Sequence, residues 1–337
     1  MYGTAGLPQY VDIADPAAQH DDEILVTIRA VAVKHIDRSR AAGKHYSNAA
    51  TPAPAGTATF TPTPADFTST PTPGRIIGGD GVGLLPDGTR VFGIGASGTL
   101  AEKATFRKDT IVQIPDGLDD ATAAALPNAV IGSAMGLKFK AQIRPGDTVL
   151  VNGATGFTGR LAIQIAKYYG AGKVIATGRN PDSLDELPAL GVDRTISLAQ
   201  TEQSFIQQLS DIHKTTPIDI VIDYLWGHSA EMILACLKGD ASFTNPMRYV
   251  SIGSMSGDAV QLSSSCLRSA NLLLTGSGLG AWSRSEVDTL FREILPEMFR
   301  LAEAGTLKIK STTLKLRDIA EIWDTEVSDG RRLVVTI

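Results

Sequence analysis

The residues best suited to chemistry form a glycine-rich turn between a strand-like and a helix-like segment. Residues 153–159 read GATGFTG and follow the apolar run at 148–152. Binding a pyrophosphate requires a tight turn, a backbone without a Cβ at the closest approach, and outward-pointing helix N–H groups. Gly156 and Gly159 fill the second and third glycine positions of such a turn. The predicted dinucleotide contacts in the turn are Ala154, Thr155, Gly156, Phe157, Thr158 and Gly159.

The residues at the end of the next strand-like segment indicate which dinucleotide is bound. In NAD-binding proteins an acidic residue about 20 positions beyond the turn bonds the ribose hydroxyls. Here the sequence reads Gly178-Arg179-Asn180, without an acid. A guanidinium can hold a 2′-phosphate and stack on an adenine, so these three residues predict NADP(H). The alternative is that Arg179 is a solvated surface residue.

Alternating strand-like and helix-like segments surround this turn. Runs such as Val149-Leu150-Val151 are apolar without alternation, which is typical of parallel strands covered on both faces. Strand alternating with helix predicts a doubly wound α/β sheet. The predicted strands are 148–152, 173–177, 194–197, 218–223, 248–252 and 272–275, and the predicted helices are 159–169, 182–190, 202–214, 228–237, 263–270 and 285–304.

The rest of the chain has a different character. Short strand-like segments broken by glycine extend to about residue 115, and the chain returns to strands after 307. Residues 48–73 are crowded with Thr, Pro and Ala, which predicts a flexible insertion. We therefore predict one β-rich domain from 1–118 and 300–337, and a nucleotide-binding domain from 119–299.

This organisation resembles the medium-chain dehydrogenase/reductase superfamily, and within it the zinc-free quinone oxidoreductase-like branch. The segments that carry the resemblance are 34–37 (KHID), 79–83 (GDGVG), 123–127 (AAALP), 153–159, 223–227 (DYLWG) and 276–278 (GSG). The resemblance implies a GroES-like substrate domain beside a Rossmann domain. It also implies NADPH-dependent reduction of a quinone or similar conjugated carbonyl.

The positions of the catalytic zinc ligands are altered in this chain. Zinc members of the superfamily carry Cys-His in the first segment and Gly-His-Glu in the second, where this chain has Lys34 and Gly79-Asp80. Only two cysteines occur in the whole sequence, too few for a four-cysteine zinc site. No metal is predicted. A conjugated electrophile needs less help than an alcohol, because a hydrogen bond can stabilise the developing oxyanion.

Candidate substrate and nicotinamide contacts follow from the same resemblance. Lys34, His45 and Tyr46 are the predicted donors to the substrate carbonyl. The alternatives are that Lys34 is a surface lysine and that the other two pack beside the insertion. The remaining predicted cofactor contacts are Asn128, Tyr224, Trp226, Gly253 and Ser254, with Trp226 either a pocket wall or a core residue.

Composition limits the other functions. The net charge of -5 gives no electrostatic case for nucleic acid, and no apolar run reaches the ~18 residues of a membrane helix. Without a secretory signal pattern, a cytoplasmic location is expected. The apolar segment 272–275 predicts an edge strand and a homodimer. Two other functions stay open, an enone or alkenal double-bond reductase and an NADPH-binding protein without significant turnover.

Overall fold

The strands of the described residues form two sheets. The computed structural model describes residues 8–42, 76–237, 239, 244–325, 327 and 329–337. The strands in this part are β1 Glu23–Ala32, β2 Asp80–Leu84, β3 Arg90–Ile94, β4 Lys103–Arg107, β5 Val112–Gln113, β6 Thr148–Asn152, β7 Lys173–Gly178, β8 Arg194–Ser197, β9 Ile220–Asp223, β10 Met247–Ser251, β11 Leu272–Gly276, β12 Ser311–Lys315 and β13 Arg332–Thr336.

The helices connect these strands. Within the described ranges they are α1 His35–Ala41, α2 Asp120–Met135, α3 Phe157–Tyr168, α4 Pro181–Asp185, α5 Glu202–Thr215, α6 Gly227–Cys236, α7 Ser264–Ser269, α8 Arg284–Thr289, α9 Leu295–Glu303 and α10 Ile319–Ile322. None of them is both long and apolar enough to cross a lipid bilayer.

The chain divides into two compact units. The mixed-sheet unit comprises Met1–Asn128 and Ser283–Ile337, and the parallel-sheet unit comprises Ala129–Trp282. The domain boundaries predicted from the sequence, 118/119 and 299/300, stay a proposal.

In the mixed-sheet unit, a strand from each end of the chain lies at the centre. The sheet runs β12-β13-β1-β2-β3-β5, and β4 also pairs with β1. β1 is antiparallel to β13, β2 and β4, and its Val31 lies opposite Val335. Residues that alternate along β1, such as Val26 and Ile28, are buried because one face of the sheet covers the core.

The parallel-sheet unit confirms the predicted α/β fold. Its strands run β11-β10-β9-β6-β7-β8, and every pairing is parallel. Val149, Leu150 and Val151 of β6 are completely buried, as expected for a strand covered on both faces. The predicted strands are all found within two residues of their observed ends, and β11 lies at the sheet edge.

Two of the predicted helices are each divided in the structure. The segment 285–304 is α8, a wider π-helical turn at Leu290–Ile294, and α9. Pro296 lies in the first turn of α9 and cannot donate to a preceding carbonyl, which accounts for the wider turn before it. The segment 182–190 likewise splits into α4 and a 3₁₀ turn that contains Pro188.

Candidate cofactor site

The centre of the parallel sheet is the point at which the strand order reverses. Connections from β6 lead to one side, through β7 and β8, whereas β9, β10 and β11 extend the sheet to the other side. Asn152 at the carboxyl end of β6 is paired with Asp223 at the carboxyl end of β9. In open α/β sheets, ligands bind outside the carboxyl ends of the strands at this reversal. The glycine-rich turn begins immediately after Asn152.

A different physical reason accounts for glycine at each of three positions in the turn. Gly153 has φ +85°, a conformation that residues with a Cβ rarely adopt. At Gly159 a Cβ would lie 2.4 Å from the carbonyl oxygen of Gly153, so the helix packs too closely on the turn for any side chain. Gly156 has an ordinary φ of −73°, and a Cβ there would meet nothing within 4 Å. The protein's own packing therefore gives no reason for glycine at 156, whereas a ligand approaching the backbone does.

The helix that follows is well placed to receive an anion. Gly156 is the N-cap of α3, and no acidic residue lies in the first turn. A helix N-terminus carries a partial positive charge and presents N–H groups that favour phosphate. The positions predicted from the sequence are thus brought together here. Ala154 is buried and donates its backbone N–H to Thr177, while Phe157 and Thr158 are half-buried beside the exposed Gly156.

A buried arginine holds the turn against the neighbouring segment. Arg160 donates from Nε to the carbonyl oxygen of Thr155 at 3.1 Å and from Nη1 to Glu186 at 2.8 Å. Gly178, at the end of β7, lies so close that a Cβ would be 2.3 Å from Cγ2 of Thr155. Gly178 is therefore required by packing against the Thr155 side chain, and Arg160 holds the Thr155 backbone. Sequence reasoning missed Arg160, which directly follows the turn.

The two residues beyond Gly178 have different environments. Arg179 is exposed, and its guanidinium has no hydrogen-bond partner in the described part of the chain. Asn180 is also exposed, but its Oδ1 accepts from the backbone N–H of Ser183 at 3.0 Å and so caps α4. A cap of this kind uses the side-chain oxygen of Asn180 and leaves Arg179 as the cation of this segment.

A completely buried carboxylate lies beneath the site, and sequence reasoning missed its role. Asp223 accepts from Asn152 Nδ2 at 2.7 Å, from Tyr249 OH at 2.7 Å, and from the backbone N–H groups of Leu225 and Trp226 at 2.8 and 3.1 Å. Four donors therefore converge on the two oxygens of one carboxylate. The signal in the sequence that could have indicated this role is an acidic residue at the carboxyl end of an apolar strand.

The loop after Asp223 is strained at one residue. Trp226 has φ +56° and ψ −154°, a region that residues other than glycine rarely occupy. Its backbone N–H is held by Asp223, and its half-buried ring packs edge-on against Tyr249 at 6.1 Å. Strained residues that the surroundings fix in place cluster at functional sites. Trp226 is therefore partly a core residue, and its backbone is positioned by the Asp223 network.

Tyr224 presents a buried polar group. Its hydroxyl forms no hydrogen bond of full geometry in the described ranges, although the Ser133 hydroxyl lies beside it and donates its own proton to the carbonyl oxygen of Ala129 at 2.5 Å. Burial raises the pKa of Tyr224 above its ordinary value, and the charge of Asp223 adds to the effect, so the phenol stays protonated. A buried hydroxyl without a full hydrogen bond is a group that a bound ligand could satisfy.

The remaining predicted cofactor contacts lie on other segments. Gly253 follows β10, and a Cβ there would be 2.8 Å from the carbonyl oxygen of Tyr224. Ser254 is exposed directly after it, and Asn128 is a half-buried residue of α2 in the mixed-sheet unit. The contacts of these residues with a cofactor stay predictions.

Among the three predicted substrate donors, only Lys34 lies within the residues that the structure describes. It is buried, not a surface residue, and its ammonium contacts Asp80, Asp37 and the carbonyl oxygen of Ala32. An ammonium has three N–H groups, so these three acceptors can use all of them. The geometry favours holding this ion cluster over donating to a substrate. His45, Tyr46 and the segment 48–73 lie outside the described residues.

Several known proteins are similar to this chain in sequence and in fold. A family model described as zinc-binding dehydrogenase matches residues 158–295. A probable NADPH-dependent quinone reductase, tdiC, of Emericella nidulans is 25% identical over 97% of this chain and 96% of its own length. A mycocerosic acid synthase-like polyketide synthase of Mycobacterium tuberculosis is 31% identical over 70% of the chain, which spans only 11% of that relative.

Solved structures give the same picture of the fold. An Escherichia coli quinone oxidoreductase complexed with NADPH has a TM-score of 0.74 at 21% identity, covering 97% of this chain and 94% of its own. A mycobacterial quinone oxidoreductase has a TM-score of 0.76 at 20% identity, with coverage of 97% and 94%. The chain is similar in sequence and in fold to quinone oxidoreductase-like proteins of the medium-chain dehydrogenase/reductase superfamily.

Two positions that hold catalytic zinc ligands in zinc-binding members carry other residues in this chain. Lys34 and Gly79 stand where zinc members have cysteine and histidine ligands, and an ammonium and a hydrogen atom cannot ligate a metal. The described residues contain no group of three or more His, Cys, Asp or Glu side chains suited to a metal. Lys34 and Gly79 therefore cannot supply the ligands that zinc members have at these two positions.

Proposed function

We propose that this protein is an NADPH-dependent, metal-free reductase of quinones or similar conjugated carbonyls. The observation that carries the proposal is Gly156, a glycine that the fold itself does not require, at a helix N-terminus where the strand order reverses. NADPH fits this site, because the turn offers bare backbone to a pyrophosphate and Tyr224 offers an unsatisfied hydroxyl. The similarity to the NADPH-dependent relative supports the same cofactor.

We assign the choice of NADPH over NADH to Arg179. Its exposed guanidinium lies one residue beyond Gly178, where an acid would otherwise bond the ribose hydroxyls. Losing a charge-assisted contact to a 2′-phosphate costs about 1.5–3 kcal/mol, or about 10- to 100-fold in Kd. Arg179→Ala should weaken NADPH binding by this factor and leave NADH binding unchanged, as measured by nicotinamide fluorescence.

The matched control is Arg194→Ala, which removes an exposed arginine from the opposite end of the neighbouring strand β8. It should bind both nucleotides like the wild type. Equal weakening of NADPH and NADH by Arg179→Ala would contradict the assignment. Binding of neither nucleotide by the wild type would remove the proposed function altogether.

For the chemical step, bound NADPH supplies a hydride to the conjugated acceptor. The substrate oxygen then takes a proton, so the quinone gains two electrons and two protons in all. His45 and Tyr46 stay the predicted donors to that oxygen. Because no metal is involved, activity with a quinone should survive dialysis against a chelator. Loss of activity that added zinc restores would contradict the metal-free mechanism.

The second candidate is reduction of an activated carbon–carbon double bond. It is supported by similarity to a segment of a polyketide synthase from Purpureocillium lilacinum described as highly reducing, of which this chain spans 10%. Comparing kcat/KM for quinones, enones and alkenals distinguishes the two substrates. Tight NADPH binding without turnover of any acceptor would instead favour an NADPH-binding protein of structural or regulatory function.

We also propose a homodimer formed at the edge of the parallel sheet. β11 is an edge strand, and Leu273 on it is 57% exposed. Unpaired edge strands with exposed apolar residues tend to pair with another chain. Sedimentation should give a dimer for the wild type and a monomer for Leu273→Lys; a monomeric wild type would contradict the proposal.

A further inference from the structure

Arg160 is a buried cation directly behind the glycine-rich turn. It lies in the first part of α3, and its side chain is 7% exposed. Its guanidinium donates to the carbonyl oxygen of Thr155 at 3.1 Å and to the carboxylate of Glu186 at 2.8 Å. A third bond, to the carbonyl oxygen of Ser183, is longer at 3.4 Å. Arginine is almost never buried to this extent unless it is paired, and here it is paired against the backbone of the candidate cofactor site.

The bond from Arg160 to Thr155 sets the direction of the next peptide group. The peptide bonds of the described residues are trans, so the C=O of Thr155 and the N–H of Gly156 point in opposite directions. Because the carbonyl oxygen is turned inward to Arg160, the N–H of Gly156 is turned away from the guanidinium. Gly156 is exposed, and its N–H has no hydrogen-bond partner within the described ranges. A phosphate oxygen at the start of α3 requires such a donor.

Two side-chain charges act on an anion bound at this turn. The first turn of α3 has no acidic residue, so the helix dipole and the Arg160 guanidinium both favour an anion there. The Glu186 carboxylate opposes them, because it neutralises part of the charge of Arg160. Glu186 is 46% exposed, so water screens its charge more than it screens the buried guanidinium. The net effect of the pair on an anion is therefore attractive.

We infer that Arg160 is the positioning residue for the diphosphate that NADPH and NADH share, and that Glu186 moderates its effect. The inference rests on the proposed nucleotide-binding function and divides the work between two arginines. Arg160 acts on the diphosphate of either nucleotide, whereas Arg179 acts on the 2′-phosphate of NADPH alone. The segment that follows Arg179 is held by its own bond from the Ser183 N–H to Asn180 Oδ1, at 3.0 Å. The two contributions can therefore be measured separately.

The test uses two fragments of the nucleotide and isothermal titration calorimetry. ADP carries the diphosphate without a 2′-phosphate, and 2′-AMP carries the 2′-phosphate without a diphosphate. Arg160→Met removes the cation and frees the Thr155 carbonyl, so it should weaken ADP about 5-fold or more and change 2′-AMP less than about 2-fold. Arg160→Lys keeps the charge but loses the planar fork, and it should restore part of the ADP affinity. Arg179→Ala should weaken 2′-AMP and leave ADP unchanged.

Arg248→Met is the matched control for a loss of structure. Arg248 also holds a loop carbonyl, that of Ala141 at 3.0 Å, and a carboxylate, that of Asp147 at 3.1 Å. It lies near the start of β10, whereas the glycine-rich turn follows the end of the parallel strand β6. Arg248→Met should therefore destabilise the parallel-sheet unit without weakening either fragment.

A second variant tests the inference even if Arg160→Met does not fold. Glu186→Gln keeps Arg160 and removes only the opposing charge, so it should bind ADP about 2- to 3-fold more tightly. Asp211→Asn removes the same charge from an exposed residue near the end of α5, which leads to the start of β9. This control should leave ADP binding unchanged.

The outcomes separate the inference from the function on which it rests. Equal weakening of ADP and 2′-AMP by Arg160→Met would make Arg160 a structural residue and overturn the inference. Unchanged or weaker ADP binding by Glu186→Gln would also overturn it. A wild type that binds neither fragment nor NADPH would instead remove the proposed function.

Discussion

The two units stabilise buried carboxylates by opposite means. In the parallel-sheet unit, Asp223 is held by hydrogen bonds from an amide, a phenol and two backbone N–H groups. No cation pairs with it in the described ranges. In the mixed-sheet unit, Asp37 and Asp80 share an ammonium and lie near a guanidinium. The first arrangement relies on directed dipoles and the second on opposite charge.

The two kinds of stabilisation suit the different parts of the structure that these carboxylates hold in place. Hydrogen bonds have strict angles, so the Asp223 network fixes the strained backbone at Trp226 beside the candidate cofactor site. Charge attraction is less directional, so the Lys34 cluster joins the ends of three elements and balances buried charge. A loss of donors at Asp223 should therefore disturb geometry, whereas a loss of cation at Lys34 should leave excess charge. Changes to each region can test this contrast.

The largest effect is expected from Asp223→Ala. The change leaves two buried and two part-buried donors without their acceptor, and each buried one costs about 1–3 kcal/mol. We expect a loss of about 5 kcal/mol or more in the free energy of unfolding, measured by urea denaturation. Asp223→Asn keeps one acceptor oxygen and should lose less. Equal losses for the two variants would show that directed hydrogen bonds are not what the carboxylate provides.

Lys34→Met should rank second. Breaking a buried ion pair by removing one partner costs about 3–5 kcal/mol, because the remaining charge is uncompensated. Lys103→Met removes a surface pair of the same length and should cost about 0–1 kcal/mol in the same urea titration. A Lys34→Met protein as stable as Lys103→Met would refute the charge-balance description of this cluster.

Tyr249→Phe should have a smaller effect on the parallel-sheet unit. It removes the one phenol that donates to Asp223, and a hydrogen bond to a charged group is worth about 1.5–3 kcal/mol. Tyr10→Phe is the matched control, since Tyr10 donates to the Glu102 carboxylate at 3.4 Å in an exposed place. The control should change the free energy of unfolding by less than about 0.5 kcal/mol. Similar losses for both variants would mean that burial adds nothing to the Asp223 bond.

The smallest effect concerns alkaline pH. The pKa of Lys34 is raised above its ordinary 10.5 in the folded protein, so its stabilisation is complete below 10.5 and is lost as pH rises through the folded value. The difference in stability between wild type and Lys34→Met should therefore be constant from neutral pH to about 10 and narrow above it. Unfolding titrations at a series of pH values measure this difference. If the difference in stability between wild type and Lys34→Met widened above pH 10.5, the raised pKa of Lys34 would be contradicted.

Much of the fold could be predicted because its signals are local. Apolar runs without alternation indicated the buried parallel strands, and the residues 153–159 indicated the turn before α3. The divisions within two predicted helices follow from Pro188 and Pro296, whose effect on the helix path depends on packing. The Thr/Pro-rich segment and the donors His45 and Tyr46 stay predictions.

The sequence by itself determined the elements and the place of the glycine-rich turn, since hydrophobic periodicity and glycine spacing act over a few residues. Only the tertiary structure decided the partners of the buried charges. Lys34 and Asp80 are 46 positions apart, and Asp223 collects donors from β6 and β10, each reached by a separate connection. Such pairings depend on strand order and register, which long-range packing sets. For that reason the sequence left open whether Lys34 lies at the surface or contacts a substrate, and the structure shows that it is buried and paired with two carboxylates.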